Sequence, residues 1–354
     1  MDQTLWRFYI MHTIALGRIM ITSKDLAKLA GVSQSTVSRA LNDSPLISEE
    51  VKNAIKTLAH EHRFALNPQA QSLRTNRTNT IGILFPRFFM NLSSNLYFTY
   101  FYDLLQVELS KYDYDLLVLY DTKRENSLSP LEKIIRQKKI DGIILIKSDL
   151  TKDEMALLGS SAIPYISIFS DDYQEGENSK YAINTNHGGY LAGQFYSQFP
   201  DWEPLYISSS TDKIDSSKRV LGFKRGLGIK HDIESIVSEI SLPGAYQTVI
   251  ENQSLFSKKR TVYVYNDLMA CGVLMALKDL QIPTPECVQI VSNDDIPMAS
   301  WVNPQLSTLR FPTQELIKAS CERLVREVVS GKLEEGSMQL SPHLIFRGTT
   351  LHKK

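Results

Sequence analysis

The stretch TSKDLAKLAGVSQSTVSRALN, residues 22–42, decides how this chain is interpreted. Apolar residues recur at helical spacing over residues 23–30 and predict a first short helix. Gly31 then predicts a tight turn, since glycine adopts a positive φ without strain. A second short helix is expected over residues 34–41, with apolar positions facing inward and polar positions facing outward. A short helix with a polar outer face that follows a tight turn fits the major groove of DNA.

Hydroxyl side chains precede each predicted helix, where they are favoured as N-caps. Thr22 or Ser23 precedes the first helix, Ser33 the second, and Ser48 a third that carries its own apolar stripe. The alternative interpretation is a plain three-helix module without a nucleic-acid partner, because many helical hairpins look alike.

The distribution of charge suits a local DNA-binding surface. The 354 residues carry no formal net charge, so a nucleic-acid reader of this composition must concentrate its basic residues. Residues 22–77 contain eight Lys or Arg against five Asp or Glu, a modest excess of the required sign. The length suits a small module joined to a larger domain.

After a polar linker over residues 74–80, apolar stretches alternate with longer amphipathic segments. Strands are predicted at residues 81–85, 115–120, 142–146, 165–169, 205–208, 261–265 and 289–292. Continuous apolar strands between helices indicate a parallel sheet covered on both faces. This many units exceed one ordinary sheet and predict two doubly wound halves.

Residues 25–33 and 35–42 resemble the signature of the LacI/GalR family of bacterial transcriptional repressors. The resemblance spans residues 20–350 and implies a small all-α helix-turn-helix domain followed by an α/β periplasmic-binding-protein-like (type I) domain of two doubly wound parallel-sheet subdomains. The implied order is a helix-turn-helix domain at 20–65, a hinge helix and linker at 66–80, and an effector-binding and dimerisation domain at 81–352. Its subdomains are expected at about 81–200 with 312–332, and at 201–311 with 333–352.

The resemblance also implies which residues contact DNA. Gln34 and Ser35 match the positions that discriminate sequence at the start of the recognition helix. The full set of expected contacts is Thr22, Ser33, Gln34, Ser35, Thr36, Ser38, Arg39, Asn42, Asn67 and Leu73. Short polar side chains suit phosphate contacts, and an arginine can reach both acceptors of guanine.

The segment from Asn67 to Arg74 is capped by Asn67, with Pro68 at the first helical position. About two turns are too short to be stable alone in water, so this helix needs a partner. It resembles the family's hinge helix, in which a leucine matched by Leu73 wedges into the minor groove and kinks the DNA. The alternative is that Leu73 packs on the module. The family has proline before the asparagine, whereas this chain has Leu66.

Ligands of open α/β sheets sit beyond the carboxyl ends of the strands. By resemblance, Arg219 and Asp294 are expected to contact an effector between the two subdomains, with Asn186, Asn266 and Asp267 at further matching positions. A vicinal diol is a good bidentate partner for a planar guanidinium or carboxylate, which favours a sugar. The family's aromatic before the aspartate is replaced by Asn293. Phe88 or Trp301 is expected to supply an apolar wall instead, unless these residues are ordinary core aromatics.

These features predict a DNA-binding repressor of carbohydrate-utilisation genes whose operator affinity is controlled by a sugar or a sugar phosphate. The alternative is an extracytoplasmic sugar-binding protein of a transporter, which shares the fold but has no use for a recognition helix. The sequence contains no Walker A loop, HExxH or Gly-x-Ser-x-Gly motif, so we expect no enzyme, no cofactor and no metal site. One recognition helix offers few contacts, so a homodimer on double-stranded operator DNA is expected.

The chain is expected in the cytoplasm. Its three cysteines form no CxxC pair, as in a protein of a reducing compartment, and no apolar run reaches the roughly 18 residues of a membrane span. Residues 1–19 are interpreted as a non-functional extension upstream of a start at Met20. A secretory signal is the alternative, although Asp2 is acidic where such signals are basic.

Overall fold

The computed structural model describes residues 21–62, 64, 77–86, 96–122, 127–146, 150–168, 180–210 and 212–351. The chain divides into two compact units between Thr78 and Asn79. The predicted extension at 1–19, the predicted hinge segment with Asn67 and Leu73, and Phe88 all lie outside the described residues.

Three helices make up the described part of the first unit: α1 Ser23–Ala30, α2 Gln34–Leu41 and α3 Glu49–Glu61. Thr22, rather than Ser23, caps α1 through a reciprocal capping box with Asp25. Gly31 ends α1 at φ +67°, which confirms the predicted turn. The helices share a small core whose fully buried members are Leu26, Val37, Ala40 and Ile55.

The second unit alternates strands with helices. Its first part contains β1 Thr80–Phe85, α4 Leu96–Ser110, β2 Asp115–Tyr120, α5 Pro130–Arg136, β3 Gly142–Leu145, α6 Lys152–Ser161, β4 Tyr165–Ile168, β5 Lys180–Ile183 and α7 Thr185–Tyr196. It continues with β6 Glu203–Ser209, α8 Lys213–Leu227, β7 Glu234–Ser238, α9 Leu242–Glu251, a 3-10 turn Gln253–Phe256, β8 Arg260–Val264, α10 Asp267–Asp279 and β9 Val288–Asp294. It ends with α11 Met298–Trp301, β10 Ser307–Arg310, α12 Thr313–Ser330, β11 Met338–Leu340 and β12 His343–Ile345. Across the described ranges, no helix combines the length and the apolar composition needed to cross a membrane.

The strands form two six-stranded sheets, in the orders β11-β5-β4-β3-β1-β2 and β12-β10-β9-β8-β6-β7. The first sheet is parallel throughout, and the second is parallel except for the β10–β12 pair. Strands such as β3 and β8 are buried at every position because helices cover both faces of each sheet. The predicted pair of doubly wound halves is confirmed.

Two segments lie in the other half from the one predicted. Helix α7, predicted with the first half, packs on α8 and β12 beside the second sheet. Strand β11, predicted with the second half, pairs with β5 in the first sheet. The chain therefore passes between the halves at residue 184, at residues 311–312 and at residues 341–342. Short connections of this kind can act as hinges between subdomains.

Helices α7 and α8 approach each other backbone to backbone. A Cβ at Gly222 would lie 1.8 Å from the carbonyl oxygen of Asn186, and one at Gly189 would lie 2.1 Å from that of Arg219. Glycines one turn further along each helix make equivalent approaches. Only glycine fits at these positions, so the contact fixes how α8 lies against α7.

We predict that Gly222→Ala lowers the free energy of unfolding by about 3 kcal/mol or more, because the added methyl group overlaps backbone atoms that cannot move aside. Urea unfolding followed by circular dichroism measures the change. Gly159→Ala is the matched control, since this helical glycine has open space at its Cβ and alanine favours the helix by about 0.5–1 kcal/mol. Equal effects of the two substitutions would contradict the close packing.

Candidate nucleic-acid interface and effector site

The amino end of α2 carries a cluster of hydroxyl groups. The Ser33 hydroxyl accepts from the backbone N–H of Thr36 (3.1 Å) and lies 2.7 Å from the Ser35 hydroxyl and 2.9 Å from that of Thr36. Helix α2 has no acidic residue in its first turn, whereas α1 and α3 both do. A helix amino terminus without a neighbouring carboxylate is suited to a phosphate group.

Basic residues of the module divide into paired and outward-facing sets. Lys52 and Lys56 form ion pairs of 2.6 Å with Glu49 and Asp43. Arg39, in the last turn of α2, is exposed. The exposed guanidinium lies on the same short helix as the hydroxyl cluster, so α2 carries both features expected of a helix that contacts DNA.

The other predicted DNA contacts have mixed surroundings. Gln34 is exposed, and its amide donates to the Ser23 hydroxyl at 2.6 Å, which ties α2 to α1. Ser38 and Asn42 are half-buried, and the Asn42 amide donates to the Ser38 carbonyl. Gln34 and Asn42 are therefore held in place by an internal hydrogen bond each.

In the second unit, Arg219 lies on α8 with only 5% of its surface exposed. Its Nε donates to Asp215 at 2.7 Å, and its Nη1 donates to the carbonyl of Tyr265. The guanidinium lies 4.3 Å from the centre of the Tyr265 ring and 5.6 Å from that of Phe311. The protein itself thus holds the guanidinium in one orientation.

Two carboxylates, Asp215 and Asp212, accompany Arg219. The Thr185 hydroxyl donates to Asp215 at 2.6 Å, and the Tyr265 hydroxyl donates to Asp212 at 2.8 Å. Burial and the nearby Asp215 carboxylate raise the pKa of Asp212. Asp212 therefore binds a proton more readily than an exposed aspartate does.

Asp294 completes the cluster at the end of β9. Burial raises its pKa well above the ordinary value, the Asp267 carboxylate adds to the rise, and the Arg219 guanidinium opposes it. Burial also raises the pKa of Tyr97 on α4, and the Asp294 carboxylate raises it further. Asp294 therefore lies close enough to Arg219 and Tyr97 for their charges to interact. The two residues expected to contact an effector are thus brought together.

The cluster joins the two subdomains at the carboxyl ends of the strands. Asp212, Tyr265 and Phe311 follow β6, β8 and β10, while Tyr97 belongs to the first subdomain. The Tyr97 hydroxyl lies 3.2 Å from that of Thr313, and its ring meets Phe311 edge to face at 5.9 Å. This is the location that ligands take in open α/β sheets.

Three predicted effector contacts have structural roles instead. The Asn186 amide donates to the Lys218 carbonyl at 2.9 Å and links α7 to α8. Asn266 caps α10 by accepting from the Met269 N–H at 2.9 Å. Asp267 is fully buried. Helix amino termini favour Asn for capping, which accounts for Asn266 directly after β8.

Asp267 is the centre of a buried hydrogen-bond network. It accepts from the hydroxyls of Ser292 and Thr308, the latter at 2.6 Å, and from the N–H of Ile296 at 3.0 Å. Burial raises its pKa from 3.8 to about 7, against the lowering effect of these three hydrogen bonds. The carboxylate thereby ties the start of α10 to β9, to β10 and to the segment after β9.

Asn293, the departure from the family pattern, belongs to the same interior, as does the preceding Ser292. Ser292 donates to Asp267, while Asn293 accepts from the Tyr263 hydroxyl at 2.9 Å and donates to the Tyr265 carbonyl at 2.9 Å. Both side chains are fully buried, so neither stacks on an effector. Trp301 is 77% exposed and does not form an enclosed wall. Aromatic faces beside Arg219 come from Tyr265 and Phe311.

Sequence reasoning missed several members of the cluster, namely Tyr97, Asp212, Asp215, Tyr265, Phe311 and Thr313. A partial signal existed for Asp215, which precedes Arg219 by one helical turn and can pair with it. Tyr97 and Phe311 are far apart in sequence and lie in apolar stretches. Their convergence depends on the tertiary fold.

Two family models match the chain: "Bacterial regulatory proteins, lacI family" over residues 22–67, and "Periplasmic binding protein-like domain" over residues 209–350. The chain is 27% identical to the transcriptional repressor PurR of Vibrio atlanticus over 341 residues, which is 93% of this chain and 98% of that protein. It is 26% identical to the ribose operon repressor of Escherichia coli, covering 93% of this chain and all of that protein.

Solved structures share the fold. The lac repressor dimer bound to operator and an anti-inducer aligns with a TM-score of 0.78 at 18% identity, over 94% of this chain and all of the other. A LacI-family regulator of Enterococcus faecium with bound ribose aligns with a TM-score of 0.66 at 24% identity, over 78% of this chain and all of the other.

A helix-turn-helix module on the same chain as a two-subdomain binding domain defines a DNA-binding transcriptional regulator controlled by an effector. The chain belongs to the LacI family of bacterial regulatory proteins.

We predict that Arg39→Ala reduces discrimination between operator and random DNA by roughly 1–3 kcal/mol, the value of a bidentate contact to guanine. Fluorescence anisotropy at one fixed salt concentration, with an operator selected from a random library, measures both affinities. Lys56→Ala, which removes a basic residue already paired with Asp43, serves as the control and should leave discrimination unchanged. An equal loss on both DNAs would place Arg39 on a phosphate instead.

We predict that Asp267 makes stability depend on pH. Its pKa is higher in the folded protein than in the unfolded chain, so the folded state binds the proton more tightly. The free energy of unfolding should therefore fall as pH rises from about 4 to about 7, by up to about 1.4 kcal/mol per pH unit, and then level off. Urea unfolding of wild type and Asp267→Asn across this range isolates the contribution. Parallel pH profiles would contradict it.

Proposed function

We propose that this regulator represses carbohydrate-utilisation genes and that a small sugar, bound between the two subdomains, controls its affinity for operator DNA. The cluster of Arg219, Asp294 and Tyr97 carries the proposal, since it joins a guanidinium, a carboxylate and a phenol at the carboxyl ends of the strands. Carboxylate and guanidinium groups suit the paired hydroxyls of a sugar. Two relatives are described with ribose, one as an operon repressor and one with the bound sugar.

The charges of the site favour a neutral sugar over a sugar phosphate. Among the described side chains of the cluster, Asp212, Asp215 and Asp294 supply three carboxyl groups against the single guanidinium of Arg219. That guanidinium is already paired with Asp215. Placing a phosphate dianion beside these carboxyl groups would add repulsion in a poorly solvated site.

The same arrangement argues for binding rather than chemistry. The relatives found by comparison are repressors. The alternative of an extracytoplasmic sugar-binding protein leaves the exposed polar face of α2 without a role. We therefore infer that the protein acts in the cytoplasm, where operator DNA is accessible.

We further propose that the protein works as a homodimer, because two recognition helices on adjacent half-sites are needed for specific binding. Trp301 and Met275 expose 77% and 49% of their surfaces on two helices that contact each other, α11 and α10. Large apolar side chains on a surface are typical of protein contacts. This explains the exposure of Trp301 better than its predicted role as an effector wall.

We predict that Asp294→Asn raises the sugar concentration needed for a half-maximal change in operator binding by roughly 10- to 100-fold, since a hydrogen bond to a charged group contributes about 1.5–3 kcal/mol. Operator binding without sugar should stay within twofold of wild type. Anisotropy titrations with D-ribose, a panel of other aldoses and their phosphates measure the response, and unphosphorylated sugars should act at the lower concentrations.

Asp201→Asn is the matched control, because this exposed aspartate lies near the opposite end of β6. A wild-type response in Asp294→Asn would place the effector elsewhere. Loss of operator binding in the absence of sugar would show that Asp294 is required for folding rather than for the effector. A stronger response to phosphates than to neutral sugars would reject the charge argument.

A further inference from the structure

Two consecutive aspartates beside the effector site have positive φ angles. Asp294 has φ +109° and Asp295 has φ +55°. Residues with a Cβ rarely adopt such angles, which persist only where the surrounding structure holds them. Asp294, the residue to which the proposed function assigns an effector contact, thus has a strained backbone. A restraint from the surrounding structure is needed to keep it in this conformation.

The carboxylate of Asp295 provides the restraint. One oxygen accepts from Nε of Arg310 at 2.6 Å, and the other accepts from Nη2 of Arg347 at 2.6 Å. The side chains of Asp295 and Arg347 are only 7% and 14% exposed, so their ion pair is little screened by water, whereas the Arg310 side chain is 55% exposed. Two arginines therefore hold one carboxylate from both of its oxygens, and we call this group the Asp295 clamp.

Arg347 is itself anchored to the second sheet. Its Nη1 donates to the Leu306 carbonyl at 2.8 Å, and its backbone N–H donates to the Ser307 hydroxyl at 2.8 Å. The clamp thus fixes the segment after β9 to the start of β10 and to the segment after β12.

Arg310 connects the clamp to the passage between the subdomains. It is the last residue of β10 and directly precedes residues 311–312, which lead into α12. Helix α12 packs on α4 and on β3, β4 and β5 of the first sheet. The ring of Phe311 meets Tyr97 of the first subdomain and lies near Arg219. A movement of Asp294 can therefore reach this connection through the peptide bond to Asp295 and the ion pair between Asp295 and Arg310.

We propose that Asp295 is a positioning residue that holds Asp294 ready for the effector and, through Arg310, couples the effector site to the β10–α12 connection between the subdomains. The proposal rests on the proposed effector site. A ligand can shift DNA affinity only through its different affinities for two conformations, so such a coupling needs a physical link to an element that moves. The clamp supplies that link at one of the three passages between the subdomains.

The test compares full-length wild type with Asp295→Asn, which keeps the shape of the side chain and removes its charge. Calorimetry with D-ribose, or with the most effective aldose of the panel, gives the sugar dissociation constant. Anisotropy gives operator affinity without sugar and with saturating sugar, and the ratio of the two is the coupling. We expect a three- to tenfold weaker sugar dissociation constant, a coupling ratio at least threefold closer to one, and operator affinity without sugar within twofold of wild type.

Two controls distinguish positioning from general stability. Asp232→Asn makes the same chemical change in an exposed ion pair of 2.7 Å with Lys224 and should alter neither quantity. In a double-mutant cycle, Arg310→Gln added to Asp295→Asn should change the coupling ratio no further, because the two residues act through one contact. Additive losses, or equal losses of coupling, operator affinity and thermal stability, would overturn the proposal.

A further readout does not need the effector. Hydrogen–deuterium exchange of the sugar-free protein should become faster at residues 294–297 and 311–316 in Asp295→Asn, and should stay unchanged elsewhere. Unchanged exchange at residues 311–316 would overturn the coupling even if no aldose affects the wild-type protein. If no aldose affects the wild-type protein, the proposed sugar function fails. The exchange data then still test whether the Asp295 clamp couples the two segments.

Discussion

The contact between the backbones of α7 and α8 is the constraint on which the effector site depends. Gly189 on α7 faces the carbonyl oxygen of Arg219, and Gly222 on α8 faces that of Asn186. These glycines let both carbonyl oxygens lie directly at the contact between the two helices. Helix α7 leads from the first sheet to the second, and α8 carries Arg219. Because no side chain separates the two helices, neither can slide or rotate without overlap. The guanidinium is therefore presented from a rigid support.

A second layer of the site is polar and buried. Asp267 replaces what would otherwise be apolar packing behind Asp294, and three donors surround it. Such networks are costly when incomplete and specific when complete. The raised pKa of Asp267 shows that burial outweighs these hydrogen bonds.

Here the sequence predicts local structure well, but it predicts poorly which distant residues come together in the folded protein. Thr22, Ser33 and Gly31 signal the ends of helices through their own chemistry, so the bounds of the helix-turn-helix follow from the sequence. Most buried strands are also predictable, since apolar runs mark them, but β5 and β10 were missed because each has only four residues and includes polar ones. The missed strand β7 is an edge strand with mostly exposed residues, and β11 and β12 have three residues each. Such strands have no apolar signature of their own.

At the effector site, Arg219 and Asp294 match the family pattern and lie together. Asn186, Asn266 and Asp267 also match it, but their hydrogen bonds stabilise the fold. A polar residue after a strand is expected both in a ligand site and at a helix cap, so its position alone does not separate the two roles. Hydrogen-bond partners do separate them: Asn266 is occupied by a backbone N–H, and Asp267 by three donors.

Arg219 shows how a residue can serve both roles. Its Nε and Nη1 are bound within the protein, and its flat face lies over the Tyr265 ring. Two of its five N–H donors are used within the protein, and its charge is already paired with Asp215. What it still presents is a fixed positive charge beside the Asp294 carboxyl group. A fixed charge next to a hydrogen-bond acceptor is suited to orienting a neutral hydroxyl-bearing ligand. The pairing of Arg219 with Asp215 and the excess of carboxyl groups around it both favour a neutral effector over an anionic one.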